Sequence, residues 1–108
     1  MGMVVNRFDI YLIELDPTVG SEIKKTRPCV VISPNEMNCL KTVLIAPMTT
    51  QGFNAPSRVE LVFQGKEGLV LLDQIRAVDK LKLVKKLGTV DGKTQKNITA
   101  TLISMFEM

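Results

Sequence analysis

The chain has 108 residues, of which 45% are hydrophobic and 23% are charged, and it contains no histidine. This size predicts one domain over residues 1–108, and the missing histidine excludes Ser-His-Asp and Cys-His hydrolases as well as the usual histidine metal sites. Fourteen basic and eleven acidic residues give a net charge of +3, which permits a polyanionic partner without requiring one. No apolar run has the length of a membrane helix, so we expect a cytoplasmic protein.

The two cysteines, Cys29 and Cys39, suit a reducing compartment. We expect each of them to pack as a small apolar side chain rather than to form a disulfide. We also expect no metal and no other cofactor. An enzyme with this composition would have to use Arg, Lys, Asp, Glu, Tyr, Thr or Ser for proton transfer and charge stabilisation.

Three strands are predicted in the first half of the chain. Phe8–Leu15 has apolar residues on both faces, and Pro28–Ser33 contains a β-branched run without alternation, so both strands should be covered on both sides. Proline is tolerated at the first residue of a strand, which fits Pro28. The third strand is Thr42–Thr49, where Pro47 predicts either lost pairing or an edge position.

The loop between the first two strands carries one carboxylate and three cations within six positions, namely Glu22, Lys24, Lys25 and Arg27. Asp16-Pro17 ends the preceding strand, because the residue before a proline is driven out of the helical region. Loops held between stiff strands often carry binding or catalytic residues, although most charged loops are simply solvated.

Further strands are predicted in the second half at Arg58–Phe63, Leu69–Leu72 and Ile75–Val78, with a short strand at Leu87–Val90. Gln64–Gly68 is predicted as a hairpin turn, and Asp79–Lys86 as a turn or short strand. A helix should follow and run to about Phe106. Asp91 is suited to cap that helix, and Ile98, Leu102 and Met105 or Phe106 recur at helical spacing as its core stripe. The pattern predicts a mainly β protein, a small antiparallel barrel or strongly bent sheet with a C-terminal helix.

Several blocks of the sequence together resemble the MazF/PemK/Kid toxins of bacterial toxin–antitoxin systems. They occur in family order from about Arg7 to the helix: Asp9-Ile10-Tyr11, Leu15-Asp16-Pro17-Thr18, Gly20-Ser21-Glu22, Thr26-Arg27-Pro28, Val30-Val31-Ile32-Ser33-Pro34, Ala46-Pro47-Met48-Thr49-Thr50 and Leu72-Asp73-Gln74-Ile75-Arg76-Ala77-Val78-Asp79. No single block is specific, but the joint match is.

The resemblance implies an SH3-like barrel, a homodimer, metal-independent cleavage of single-stranded RNA at a short sequence, and neutralisation by a cognate antitoxin. The family's arginine of the Arg-Pro motif falls on Arg27, the threonine that ends the Ala-Pro-x-Thr strand falls on Thr49, and the loop glutamate falls on Glu22. Some relatives instead use an arginine and an aspartate around the Asp-Gln turn. Asp73 is present here, but Leu71 replaces that arginine, which favours the first scheme.

The chemistry of these residues agrees with metal-free RNA cleavage, in which the 2′-hydroxyl is the nucleophile. The guanidinium of Arg27 is a planar fork of donors that matches a phosphate, and Thr49 can donate a further hydrogen bond. A guanidinium has a pKa above about 12 and is a poor general base at neutral pH. Glu22 and Asp73 are the easier bases, and the residues alone do not choose between them.

Substrate binding is expected to involve residues of the loops that surround these two groups, namely Glu22, Lys24, Lys25, Thr50, Phe53, Asp73 and Gln74. Phe53 is the one aromatic residue placed in a loop where it could stack on a base, although it could equally fold back onto the core. Asp73 and Gln74 could instead satisfy backbone groups at a kink. Two other functions remain open: a non-catalytic toxin of the same fold that poisons DNA gyrase, and a plain SH3-like RNA-binding module.

Overall fold

The computed structural model describes residues 4–15 and 25–107, and for Lys25 it describes the backbone alone. In chain order these residues form β1 (Asp9–Leu15), β2 (Lys25–Val31), β3 (Thr42–Thr49), β4 (Arg58–Phe63), β5 (Lys66–Leu71), a 3₁₀ turn (Leu72–Gln74), β6 (Arg76–Asp79), a second 3₁₀ turn (Lys80–Lys82), β7 (Leu83–Thr89) and α1 (Gly92–Phe106).

All strand pairs are antiparallel, and the order across the sheet is β4-β5-β3-β2-β1-β7, with β6 also paired to β3. The strand β3 therefore has partners on both edges. One edge pairs with β2, and the other pairs first with β6 and then with β5. The result is a curled antiparallel half-barrel with a C-terminal helix, which confirms the predicted fold class.

Two apolar cores lie on opposite faces of β1, β2 and β3. Val30 points into the core that contains Ile98 of α1, while its neighbours Cys29 and Val31 point into the second core. Successive side chains of a strand alternate between faces, so a strand covered on both sides is apolar throughout. This confirms the prediction for β1 and β2 and explains the missing alternation.

The structure corrects the position of one proline and decides between two alternatives for the other. Pro28 is the fourth residue of β2, opposite Leu12 of β1, and it does not begin the strand. The start of β2 is set by its pairing with β1, which extends back to Lys25. Pro47 is inside a central strand, opposite Cys29, so of the two predicted alternatives lost pairing holds and the edge position does not. On its other edge β3 pairs with β6 up to Ile45 and with β5 from Met48 onwards, so Pro47 sits in the gap between two partners and needs no ladder hydrogen bond there.

Several other boundaries differ from the predictions. The hairpin turn is only two residues long, Gln64 and Gly65, both with positive φ (53° and 77°), and β5 begins at Lys66. These values correspond to a tight hairpin turn of the type whose twist matches that of its strands. β7 is longer than expected because the basic segment before Leu87 pairs with β1. Cys39 is exposed rather than packed.

The helix begins and ends as predicted. The side chain of Asp91 accepts a hydrogen bond from the backbone N–H of Thr94 at 3.1 Å, which satisfies one of the free donors at the helix start. Ile98 is fully buried, and Leu102 and Met105 pack beside it. The stripe therefore ends on Met105, since Phe106 is exposed.

Gly68 of β5 fixes how closely β5 approaches the end of β3. A Cβ atom at Gly68 would lie 2.8 Å from the carbonyl oxygen of Thr49, which is closer than real Cβ atoms come to backbone. Only glycine allows this approach without a shift of one strand.

We predict that Gly68→Ala lowers the free energy of unfolding by about 1–3 kcal/mol, because the methyl group must push β5 away from Thr49. Urea denaturation followed by circular dichroism measures this. Gly92→Ala is the matched control, since nothing lies within 4 Å of the corresponding Cβ position, and it should change stability by less than about 0.5 kcal/mol. Equal midpoints for the wild type and Gly68→Ala would contradict the prediction.

Candidate functional site

A cavity of about 390 Å³ opens between the start of β2, the end of β3 and the β4–β5 hairpin. Its polar lining consists of Arg27, Thr49, Thr50, Gln64 and Lys66. Its apolar lining includes Pro28, Met48, Leu61, Phe63 and Leu87. The cavity therefore combines two cations with an apolar floor, and it contains both residues that the sequence suggested as catalytic.

Arg27 and Thr49 lie close to the end of the pairing between β2 and β3. The last pair is Cys29 with Pro47, and Arg27 and Thr49 each lie two residues beyond it. Both residues line the cavity from neighbouring strands, and Arg27 is exposed.

The hydroxyl of Thr49 is oriented by the loop that follows it. Thr49 Oγ1 accepts a hydrogen bond from the backbone N–H of Gln51 at 3.1 Å. A hydroxyl has one proton to donate and two acceptor positions. Accepting from Gln51 leaves the Thr49 proton available for an oxygen in the cavity.

Gln64 and Lys66, at the tip of the β4–β5 hairpin, are cavity residues that the sequence analysis did not identify. A five-residue turn at Gln64–Gly68 was predicted, which left Lys66 outside any strand. The signal was present in Gln64-Gly65, because a two-residue turn with glycine second fixes the hairpin register. With that register Phe63 pairs with Lys66, and the hairpin tip closes over the cavity.

Cys29 lies beside Arg27 on the same strand and could be mistaken for a nucleophile. Burial raises the pKa of the Cys29 thiol to about 12, although Arg27 and Arg76 both act to lower it. A nucleophilic cysteine needs a lowered pKa in an accessible position. Cys29 is therefore a structural residue, as expected from the sequence.

Two of the suggested substrate-binding residues, Phe53 and Asp73, belong to a second cluster around Arg58, which the sequence analysis also missed. Arg58 Nε donates to Asp73 Oδ1 at 3.2 Å, and Nη2 donates to Asp73 Oδ2 at 3.4 Å. Nη1 donates to the backbone carbonyl of Phe53 at 3.1 Å, and the guanidinium carbon lies 4.8 Å from the centre of the Phe53 ring. We call Arg58, Phe53 and Asp73 the Arg58 cluster.

The Arg58 cluster supplies the arginine that Leu71 replaces in the sequence before the Asp-Gln turn. In the register of the hairpin Arg58 is directly opposite Leu71, so a guanidinium reaches Asp73 from the neighbouring strand instead of from the position before the turn. The hydroxyl of Ser57 donates a further hydrogen bond to Asp73 Oδ1 at 3.3 Å. Asp73 is thus engaged by side chains rather than by the backbone of a kink alone.

The pKa of Asp73 lies below the ordinary value of 3.8, chiefly because its carboxylate accepts the hydrogen bond from Arg58. The charge of Arg58 and the hydrogen bond from Ser57 act in the same direction. Asp73 is therefore a weaker base than an ordinary aspartate, and both of its oxygens already have a partner.

The remaining suggested residues are placed as follows. Thr50 lines the cavity, Gln74 is exposed at the end of the 3₁₀ turn, and Phe53 is 73% exposed, so its ring is not folded back onto the core. Glu22 and Lys24 lie outside the described residues, as does the side chain of Lys25.

Within residues 4–15 and 25–107 no three acidic, cysteine or histidine side chains are grouped as metal ligands would be. In the same part of the chain no helix is both long enough and apolar enough to cross a membrane.

The family model that describes PemK-like, MazF-like toxins of type II toxin–antitoxin systems matches residues 6–106 of this chain. The chain therefore belongs to this toxin family, as the sequence blocks indicated.

The chain is also similar to named endoribonucleases, and the alignments cover most of each protein. The chain is 33% identical over 107 residues to Endoribonuclease EndoA of Bacillus subtilis (strain 168), an alignment that covers 93% of this chain and 92% of that protein. It is 35% identical over 91 residues to Endoribonuclease MazF of Staphylococcus epidermidis, covering 78% of this chain and 76% of the relative. The fold is shared with MazE–MazF (Form-II) of Deinococcus radiodurans, with a TM-score of 0.83, 24% identity and 99% coverage of both chains.

We predict that Arg58→Met raises the pKa of Asp73, because it removes the donor that stabilises the carboxylate. Carboxyl-carbon NMR titration measures this shift. In the wild type the lowered pKa means that the contact stabilises the fold at neutral pH, and that this contribution is lost as the pH falls through the lowered pKa. The stability difference between the wild type and Arg58→Met should therefore narrow over that range.

Asp91 provides the internal control for this titration. Its pKa is lowered by hydrogen bonds from Thr94 and does not depend on Arg58. Its titration should be the same in both proteins. An unchanged Asp73 titration in Arg58→Met would contradict the assignment.

Proposed function

We propose that this toxin is an endoribonuclease that cleaves single-stranded RNA at a short sequence without a metal ion, leaving a 2′,3′-cyclic phosphate and a 5′-hydroxyl. The observation that carries the proposal is that Arg27 and Thr49 line one cavity, in a chain of a toxin family whose relatives EndoA and MazF are named as endoribonucleases. Cleavage of cellular RNA would inhibit translation and growth.

In this reaction the 2′-oxygen of one nucleotide attacks the adjacent phosphorus while the bond to the 5′-oxygen of the next nucleotide breaks. The 2′-hydroxyl proton goes to a base, and the leaving oxygen receives a proton. Negative charge builds on the non-bridging oxygens, where fixed hydrogen-bond donors contribute most. Arg27 is suited to bind these oxygens, Thr49 to donate a further hydrogen bond, and Lys66 to hold a neighbouring phosphate as a point charge.

We infer the base by comparing the two carboxylates. Asp73 has a lowered pKa, is paired with Arg58, and is not among the residues that line the cavity. Glu22, which lies five residues before Arg27 in the sequence, is the carboxylate that we propose for proton transfer or substrate handling.

Substrate binding is proposed for groups around the cavity. Thr50 lines it directly, and Phe53 offers an exposed ring on which a base could stack, worth about 1–3 kcal/mol per base. Gln74 is exposed and offers both a donor and an acceptor. Lys24, and Lys25 at the start of β2, would add phosphate contacts.

Arg27→Ala should lower the rate of RNA cleavage by about 10²–10³-fold in buffer that contains EDTA, because it removes a preorganised charge at the phosphate. Thr49→Ala should cost less, since one neutral donor is lost. A long RNA cut by the purified protein, with its ends mapped by primer extension, measures both the rate and the recognition sequence.

Lys96→Ala is the control for loss of charge, because this exposed helix residue does not line the cavity, and it should cleave at the wild-type rate. Three results would overturn the proposal. Cleavage that survives Arg27→Ala unchanged excludes the site. RNA retention without products would indicate a binding module. Gyrase-dependent DNA breaks in exposed cells would indicate the gyrase-poisoning alternative.

We further propose that two copies associate and that an acidic antitoxin segment covers the cavity, which has two cations and belongs to a chain of net charge +3. The family and the MazE–MazF structure of Deinococcus radiodurans support this partnership. Light scattering should give twice the chain mass at micromolar concentration, and a monomer would contradict the first part. A cytoplasmic location follows from the proposed RNA substrate.

A further inference from the structure

The side chain of Arg58 makes an unusually complete set of contacts for a strand residue. All three guanidinium nitrogens donate hydrogen bonds: two to the carboxylate of Asp73 and one to the backbone of Phe53. The side chain is only 15% exposed. One residue thereby joins the start of β4, the loop after β3 and the 3₁₀ turn before β6.

The arrangement leaves an aromatic ring open to solvent. The guanidinium of Arg58 lies over one face of the Phe53 ring, yet Phe53 as a whole is 73% exposed. A contact that served only to stabilise the loop would gain more by burying the ring. A ring fixed on one face by a cation and open on the other offers a rigid surface for a second flat group.

The Arg58 cluster adjoins the cavity. A Cβ atom built on Gly52 would lie 3.5 Å from Arg58 Nη1 and 3.8 Å from Thr49 Cγ2, so the two side chains flank the same point of the loop. Gly52 has a φ of +125°, a backbone conformation that residues with a side chain rarely adopt. This conformation folds the loop between Thr49 and Arg58. The open ring is therefore a near neighbour of the proposed cleavage site.

Asp73 adds a polar group to this surface. Its Oδ1 accepts from Arg58 Nε and from the Ser57 hydroxyl, whereas Oδ2 accepts a single bond from Arg58. A carboxylate oxygen has two acceptor positions, so Oδ2 can receive another hydrogen bond. Proteins recognise single-stranded RNA by combining two interactions: a base stacks on a flat side chain, and the polar edge of the same base forms hydrogen bonds.

We propose that Arg58 is a positioning residue that holds the Phe53 ring and the Asp73 carboxylate as one platform. A base next to the cleaved bond stacks on this platform, and its amino group donates a hydrogen bond to Asp73. This inference rests on the proposed function. It assigns sequence discrimination to the Arg58 cluster and catalysis to Arg27 and Thr49.

A binding experiment tests the platform independently of cleavage. The chain has no tryptophan, so Phe53→Trp introduces a single fluorescent reporter. In the Arg27→Ala background, a random-sequence single-stranded RNA pool should quench this fluorescence. Adding Arg58→Met should weaken the apparent affinity by about tenfold, as expected when one base stack is lost.

Two matched controls separate the platform from general effects. Phe106→Trp reports from an aromatic position of the same 73% exposure at the end of α1, and RNA should not quench it. Arg7→Met removes the same type of contact, a guanidinium 4.9 Å from the centre of the Phe8 ring, and it should leave the affinity unchanged. Equal quenching with and without Arg58 would overturn the proposal.

A kinetic experiment tests the role in specificity. Arg58→Met should raise KM about tenfold with a smaller change in kcat, and it should relax the base preference at one position beside the cut. Phe53→Leu keeps the ion pair and should give the same pattern, whereas Arg58→Lys should fall between Arg58→Met and the wild type. Circular dichroism confirms that each variant is folded.

The outcomes are distinct. If Arg58→Met lowers kcat with unchanged KM and unchanged base preference, the positioning role is excluded. If the wild type cleaves no RNA, the proposed function fails, and the fluorescence titration still decides whether Arg58 positions a base-binding surface.

Discussion

The pairing of β3 on both edges is the constraint on which the rest of this structure depends. β3 pairs with β2 along one edge and changes partner from β6 to β5 along the other. The change occurs at Ala46 and Pro47, where a proline removes no hydrogen bond that the fold needs. Because β5 continues on from there, Thr49 at the end of β3 pairs with Leu69 and is held against Gly68, and it lines the same cavity as Arg27. The position of Thr49 is thus fixed by backbone geometry before any side-chain contact is counted.

The absence of histidine gives the site its chemical character. Without an imidazole that titrates near neutral pH, the proposed charge stabilisation and proton transfer fall to other side chains. Arg27, Lys66 and the hydroxyl of Thr49 bring hydrogen-bond donors to the cavity, and burial raises the pKa of the Cys29 thiol to about 12. Asp73 is bound to Arg58, which lowers its pKa and leaves it better suited to accept hydrogen bonds than protons. The structure therefore separates a cationic cavity from an adjoining cluster in which the charges are already paired.

Local patterns were enough to predict much of the fold. β3, β4 and the helix with its Asp91 cap were obtained from apolar runs and capping chemistry, because these signals act over a few residues. The errors occur where a distant partner decides the outcome. β2 extends to Lys25 because β1 pairs with it, and β7 is longer than predicted because it also pairs with β1. Arg58 was overlooked for the same reason, since its importance depends on a register set by Gln64 and Gly65.

The sequence by itself determined the class of this protein: a mainly β domain with a C-terminal helix, a member of a toxin family, with Arg27 and Thr49 as the pair of interest. These conclusions rest on residue types in order along the chain. Only the tertiary structure decided which groups meet. It placed Lys66 and Gln64 in the cavity, and it brought Arg58 onto Asp73 and Phe53 from a strand that the sequence treats as unrelated. The physical reason is that strand pairing joins residues far apart in the chain, and its register is fixed by turns and by close backbone approach rather than by the charged residues themselves.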